Sequence, residues 1–284
     1  MTDASMTATH PGAQVQGRDG VEDTGYGREF APFYDRIFQH DESAEITADG
    51  LARIHPDIAR GTLELGVGTG RIALPLARRI GPVDAVDSSV EMLAALEGNR
   101  DGEPVHAMHG NFVHELPGRH YGMIFAVCQT MSMLGSRADQ RRAIHRVADA
   151  LAPGGIFVVE TGNPLQVHAL MGAQNPAVTT VPLEAQGGWL TTYSQVTEAE
   201  AGVETWRCRQ IWIERDGSFH TGVEQSLLTP VEVMDQMAAE AGLVPELLFA
   251  TWSGAPYGDD APLYIRSYRR PPEAEPVTRE GAAQ

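Results

Sequence analysis

Three alternating glycines, Gly66, Gly68 and Gly70, separate the run Thr62-Leu63-Glu64-Leu65 from Arg71-Ile72-Ala73. Glycine at i, i+2 and i+4 lets a chain turn sharply from strand to helix and brings backbone against a ligand with no Cβ between them. The free amides at the start of the helix then point at that ligand. Further on, Pro82-Val83-Asp84-Ala85-Val86-Asp87 is a second apolar run ending in a carboxylate. An acid about 20 residues past a glycine loop can accept bonds from both hydroxyls of a ribose. Together these residues describe a nucleotide-like ligand. Asp87 could also cap the following helix, a role that Ser88 or Ser89 fills equally well.

The spacing excludes two nucleotide classes. In the dinucleotide fingerprint a third glycine, three residues after the second, allows close helix–strand packing. Here that position is Arg71, whose side chain must point away from the sheet or lie over the ligand, so nicotinamide or flavin fits poorly. No Gly-Lys-Ser/Thr follows the loop, so it is no Walker sequence either.

The segment Glu64-Leu65-Gly66-Val67-Gly68-Thr69-Gly70 resembles the first motif of class I S-adenosylmethionine-dependent methyltransferases, and Val86-Asp87-Ser88-Ser89-Val90-Glu91-Met92-Leu93 resembles the second. Gly110-Asn111-Phe112 is similar to the third, with Asn111 where an acid usually meets the adenine amine; an amide carbonyl can still accept from that amine. Tyr121 to Cys128 and Leu151 to Glu160 resemble the fourth and fifth strands, and the likeness extends from about Tyr26 to Arg269. The early Phe33-Tyr34-Asp35-Arg36-Ile37-Phe38 and an antiparallel insertion are similar to the small-molecule subgroup, which includes sugar and peptide amine N-methyltransferases of natural-product pathways. The signature for amino methylation of DNA bases and protein glutamine is absent, since Val127-Cys128-Gln129-Thr130 stands in its place.

The resemblance implies S-adenosylmethionine as cofactor, bound by Tyr34, Glu64, Gly66, Gly68, Gly70, Arg71, Asp87, Ser88, Met92, Asn111, Phe112, Val127 and Cys128. Met92 would flank the adenine, and Val127 and Cys128 would lie beside the sulfonium. Methyl transfer is an in-line displacement, in which positioning alone can supply an effective molarity of about 10⁵ M. An amine arriving protonated must first lose a proton. Tyr34, Tyr193 and His220 are the catalytic candidates, with Glu160, Thr161, Asn163 and Glu224 near the same strand ends. Each has a plainer alternative: Tyr34 belongs to an apolar stripe, Tyr193 could pack, and His220 beside a turn could be a solvated surface group. Transfer to a small-molecule or peptidic amine is the expected reaction, with O- or C-methylation and a non-catalytic cofactor-binding module as alternatives. His106, His109 and His114 suggest no metal, because alternation puts 106 and 109 on opposite faces of a strand.

These residues need a scaffold. Strand patterns at Thr62 to Leu65, Val83 to Asp87, Val105 to Met108, Met123 to Val127 and Ile156 to Glu160 alternate with helical stretches. Val244 to Thr251 and Leu263 to Tyr268 add two more strands. The pattern predicts an α/β fold, a doubly wound, mostly parallel seven-stranded sheet of Rossmann-like type. Phe30, Phe33, Tyr34, Ile37 and Phe38 make an apolar stripe that predicts an N-terminal helical cover. Trp189 to Val196, Val203 to Ile213 and Phe219 to Leu227, with Asp216-Gly217 between the last two, predict an antiparallel insertion over about 176–228. Pro230 is expected at the first position of a helix stopped by Gly242. Polar, aperiodic 1–24 and 271–284 read as disordered tails flanking a methyltransferase domain at 25–270.

The chain has 284 residues and a formal net charge of −17, which argues against nucleic acid, whose phosphates require clustered Lys and Arg. An acidic field tolerates or steers cationic acceptors. Two cysteines, in no metal or C-x-x-C spacing, fit a reducing cytoplasm. No basic region precedes an apolar run at Met1, and no stretch approaches roughly 18 apolar residues, so neither leader nor membrane span is expected. Exposed tryptophans on the insertion could serve a homodimer.

Overall fold

The computed structural model describes residues 15–16, 21–183, 187–200 and 202–272. A two-stranded hairpin, β1 (Val15–Gln16) and β2 (Glu22–Asp23), leads into the short helices α1 (Tyr26–Phe30) and α2 (Tyr34–Ile37) and the longer α3 (Glu42–Ile54). The alternating body follows: β3 (Thr62–Leu65), α4 (Ala73–Ile80), β4 (Val83–Asp87), α5 (Val90–Asn99), β5 (Val105–His109), β6 (Tyr121–Ala126), α6 (Arg137–Ala150) and β7 (Leu151–Gly162). After α7 (Pro164–Met171) come β8 (Ala177–Leu183), β9 (Gly188–Glu200), β10 (Val203–Glu214) and β11 (Phe219–Leu227). α8 (Val231–Glu240), β12 (Val244–Phe249) and β13 (Leu263–Arg269) complete the chain.

The large sheet has strand order β12-β13-β7-β6-β3-β4-β5. Pairs among β7, β6, β3, β4 and β5 are parallel, and β13 joins β7 and β12 antiparallel. Its inner strands are buried on both sides, as β3 and β6 show at every position, because helices cover both faces. On one face Leu51 of α3, Leu74 of α4 and Leu96 of α5 share a core; on the other, Ile144 and Val147 of α6 pack with Met234 and Met237 of α8. The chain reverses direction across the sheet between β3 and β6, which opens a crevice outside their carboxyl ends.

The insertion is a separate antiparallel sheet of order β11-β10-β9-β8. Register sets Glu224 opposite Cys208 and Cys208 opposite Ser194, so even-numbered residues of β9, β10 and β11 share a face. That face is the inner one: Cys208, Gln210 and Trp212 are buried, and α1 and α2 lie on it. Phe30 fills the space above Gly222, Phe33 stacks on His220 at 5.9 Å, and Arg36 lies over the Trp212 ring at 5.5 Å.

Several local expectations change. Pro230 is the N-cap of α8, where its missing N–H is equally harmless. Leu151 to Gly155 continues β7 through an irregularity at Gly154, whose φ is 81°, and forms no separate turn. Residues 22–24, expected in a disordered tail, form part of the cleft wall; most of 1–20 and all of 273–284 lie outside the described residues. Among the described residues, no helix is long and apolar enough to cross a membrane.

Candidate active site

A cleft opens at the carboxyl ends of β3, β4 and β6. Its floor is the glycine loop, in which Gly66, Gly68 and Gly70 all have positive φ. At Gly70 a Cβ would lie 2.3 Å from Leu96 Cδ1, so this glycine permits the helix-to-sheet packing. At Gly68 a Cβ would meet nothing within 4 Å, so the backbone there is bare toward open space where a ligand can approach.

Asp87 ends β4 and holds the loop. One carboxylate oxygen accepts from Gly68 N at 2.7 Å and the other from Ser89 N at 2.9 Å. Burial pushes the Asp87 carboxyl up, and those two backbone bonds pull it back. Ser89 caps α5 through Met92 N at 3.2 Å, leaving the second lone pairs of Asp87 for a ligand.

Two buried atoms at the other end lack partners among the described residues: Glu64 Oε2, an acceptor, and Arg71 Nε, a donor. Burial pushes the Glu64 carboxyl well up, and the Arg71 charge moderates it. A ligand carrying an ammonium and a carboxylate side by side satisfies both. Arg71 lies over the cleft with Nη2 donating to Cys128 Sγ at 2.9 Å. Burial, then Glu160, pushes the Cys128 thiol up to about 12, so it is a neutral packing group and no nucleophile at neutral pH. Cys128 and Gln129 have φ of 54° and 68°, a left-handed pair that costs about 1–2 kcal/mol per residue. Glu160 holds that turn, accepting from Cys128 N at 3.1 Å and from the Trp252 indole.

The cover is pinned to the loop. Thr69 Oγ1 donates to Asp35 at 2.6 Å, and Asn99 donates both to Asp35 at 2.9 Å and to Thr69 O at 3.1 Å. Burial works against the Asp35 charge, yet hydrogen bonds from His40, Thr69 and Asn99 outweigh it and hold the carboxyl below its usual value. Tyr34 and Tyr26 line the cleft with rings edge to face at 6.3 Å. Burial is the leading cause that raises both phenols, so both hydroxyls stay neutral.

Of the residues singled out from sequence, Tyr34, Glu64, Gly66, Gly68, Arg71, Asp87, Ser88, Met92, Asn111, Phe112, Val127 and Cys128 line this cleft. Gly70 lies behind it. Tyr193 does not approach it: Ser194 is the inward neighbour on β9, which turns Tyr193 to the outer face, 38 % exposed. His220 is a packing partner of Phe33 with its ring nitrogen 3.8 Å from Glu214, at the edge of the insertion and outside the cleft lining. Asn111 spends its amide on the backbone, accepting from Val113 N at 2.9 Å and donating to Glu22 O at 3.0 Å. It ties β2 across the cleft. Thr161 bonds Ser132, and Asn163 caps α7, so neither faces the cleft. Tyr26 and Asp23 were missed; Tyr26 carried a signal, sitting four residues before Phe30 and eight before Tyr34. His106 meets Asp84, His109 the Ser88 carbonyl and His114 Glu22, three separate places.

Residues 62–155 match a methyltransferase-domain family model. Over 141 residues the chain is 29% identical to dTDP-3-amino-3,6-dideoxy-alpha-D-glucopyranose N,N-dimethyltransferase of Streptomyces fradiae, covering 48% of this chain and 54% of that enzyme; the match thus spans about half the length of the curated relative. The CcbJ methyltransferase of Streptomyces caelestis is similar in structure, with TM-score 0.77 and 27% identity over 87% of this chain and 98% of that one. CalS10 of Micromonospora echinaspora, an amino pentose methyltransferase solved with S-adenosylmethionine bound, shares the fold at TM-score 0.62 and 20% identity, over 85% of this chain and 96% of that one. The orphaned Glu64 and Arg71 atoms, the bare Gly68 backbone and the Asp87 carboxylate suit the amino-acid and ribose ends of that cofactor. Residues 62–155 thus carry a methyltransferase domain, and the fold and cleft of the chain resemble those of class I S-adenosylmethionine-dependent methyltransferases.

Proposed function

We propose that the protein methylates a small-molecule or peptidic amine, in the manner of natural-product N-methyltransferases. The observation that carries this reading is the pair of neutral tyrosines, Tyr26 and Tyr34, at the cleft wall beside Arg71 and Cys128, in a chain similar to an amino-sugar N,N-dimethyltransferase. S-adenosylmethionine, when bound, supplies an electrophilic methyl group on a sulfonium, which leaves as a thioether when a nitrogen lone pair displaces it.

This chain's own residues bind and orient. Glu64 would accept the cofactor's ammonium, Arg71 would donate to its carboxylate, and Asp87 would accept from the ribose. Met92 and Phe112, which line the cleft, would hold its base, with Asn111 nearby. Uncharged phenol oxygens at Tyr26 and Tyr34 accept from an amine N–H and leave its lone pair free to point at the methyl carbon. An amine that arrives protonated gives its proton to water or to a carboxylate before it reacts.

Two wider assignments belong to the same reading. The free thiols Cys128 and Cys208 suit a reducing cytoplasm. Val178, Trp189 and Tyr193, all exposed on the outer side of the insertion, support a homodimer. The reaction is tested by S-adenosylhomocysteine release with paired acceptors that differ only in amine against hydroxyl. Release with the amines supports the reading; release confined to the hydroxyl compounds contradicts it, and tight cofactor binding without any release marks a non-catalytic module.

A further inference from the structure

The inner face of the insertion carries polar groups that neither the fold nor the cofactor cleft uses. β10 and β11 place three carboxylates on this face. Glu204 pairs with His168 at 2.8 Å, and Glu214 with Arg36. Glu224 meets no cation among the described residues; its one hydrogen bond comes from the Ser226 hydroxyl at 3.2 Å. Across the ladder, Cys208 lies opposite Glu224, with Trp206 and Gln210 on either side. Trp206 Nε1 and Gln210 Oε1 are buried atoms without partners among the described residues, and Gln210 is only 8 % exposed. A donor and an acceptor without partners thus share one face with a carboxylate that has a single hydroxyl bond and no cation among the described residues, an arrangement that carries a desolvation cost unless something polar meets it.

The patch adjoins the cleft. α1 and α2 run along β11 in opposite sense: Phe33 sits on His220 and Phe30 on Gly222, and Glu29 accepts from Val223 N at 2.7 Å. Continuing that pairing by one helical turn and two strand residues brings Tyr26, stacked on Phe30 at 4.2 Å, to Glu224. The charge of Glu224 acts on both Tyr26 and Tyr34. Glu224 therefore stands behind the two tyrosines that line the donor cleft.

We propose that this patch is the acceptor subsite, in which Glu224 receives the protonated amine of the acceptor while Trp206 and Gln210 hydrogen-bond its hydroxyl or carbonyl groups. The proposal rests on the N-methylation reading for its ligand class and deepens it: the acceptor is a cationic, hydroxyl-bearing molecule, such as an amino sugar. A carboxylate in partial burial receives a cation far better than it receives a neutral isostere.

The test uses the full chain saturated with S-adenosylhomocysteine and two calorimetric probes, methyl 3-amino-3-deoxyglucoside and methyl glucoside. Wild type should prefer the amine by at least tenfold. Glu224→Gln should erase that preference and Glu224→Asp restore part of it, with S-adenosylhomocysteine affinity within about twofold throughout, which certifies the fold. In turnover, Glu224→Gln should raise the amine KM tenfold or more and move kcat far less. Unchanged amine binding by Glu224→Gln, or no amine preference in wild type, overturns the subsite. If Glu224→Gln loses cofactor affinity, Glu224→Asp carries the test: amine binding equal to wild type overturns the proposal and a several-fold loss confined to the amine supports it. Failure of the reaction reading looks different: the amine binds through Glu224, yet methyl is transferred only to a hydroxyl.

Discussion

Asp87→Ala separates a ligand-binding carboxylate from one that merely braces a loop. In the free protein Asp87 accepts from Gly68 N and Ser89 N, so its removal strands two amides at the cleft floor. Stranding a buried donor costs about 1–3 kcal/mol. Part of this is returned, because burial already works against the Asp87 charge and water in an open cleft can reach the amides. The net loss of stability should therefore stay below about 2 kcal/mol. Binding loses more. Two ribose hydroxyls donating to a carboxylate are worth about 1.5–3 kcal/mol each. The lower sum, about 3 kcal/mol, corresponds to roughly a 10²-fold rise in Kd. The assay is calorimetric titration of dialysed wild type and variant with S-adenosylhomocysteine, beside thermal unfolding of both without ligand. A Kd within about threefold of wild type refutes the ribose role; a large affinity loss matched by an equally large stability loss refutes the split.

Glu64→Gln should raise Tm and weaken the cofactor, because burial works against the Glu64 charge and its Oε2 has no partner among the described residues until a ligand's ammonium meets it. A fall in Tm with unchanged affinity contradicts this. Stability and affinity should show opposite pH trends: Glu64, Asp87, Glu160 and Glu224 all have raised folded values, so their contribution to stability grows as pH falls through those values. Cofactor affinity, which needs Glu64 and Asp87 ionised, should weaken over that window; parallel trends in calorimetry and thermal melts refute the assignment. Gly222→Ala puts a Cβ 2.4 Å from the Phe30 ring and should lower stability by about 1–3 kcal/mol while displacing the cover, read as reduced Tm and raised acceptor KM. Tyr193→Phe should leave kcat/KM within twofold, since its side chain is on the outer face of the insertion.

The parts legible in the sequence are those set by short-range backbone constraints. The glycine loop and Asp87 declare a strand–turn–helix and the end of a neighbouring strand, and both stand where expected. Helix α6 was less legible because its apolar stripe is narrow, Ala143, Ile144, Val147 and Ala148 among arginines and aspartates. Tyr193 was misjudged because alternation fixes which residues share a face and not which face looks inward; Ser194 and Cys208 decide that by packing. Asn111 lines the cleft as expected, but its bonds to Val113 N and Glu22 O were not legible, because those partners arise from the turn after β5 and from β2. Glu224 showed as a candidate, but its lack of a cation depends on where Arg36 and His168 end up, far along the chain.

The central claim, methyl transfer to nitrogen, is tested most directly by incubating the protein with S-adenosylmethionine labelled with ¹³C in its methyl group and an amino-sugar acceptor, then locating the label by NMR. The account predicts an N-methyl carbon coupled to the amine-bearing ring position. A label on oxygen or carbon of the acceptor contradicts it.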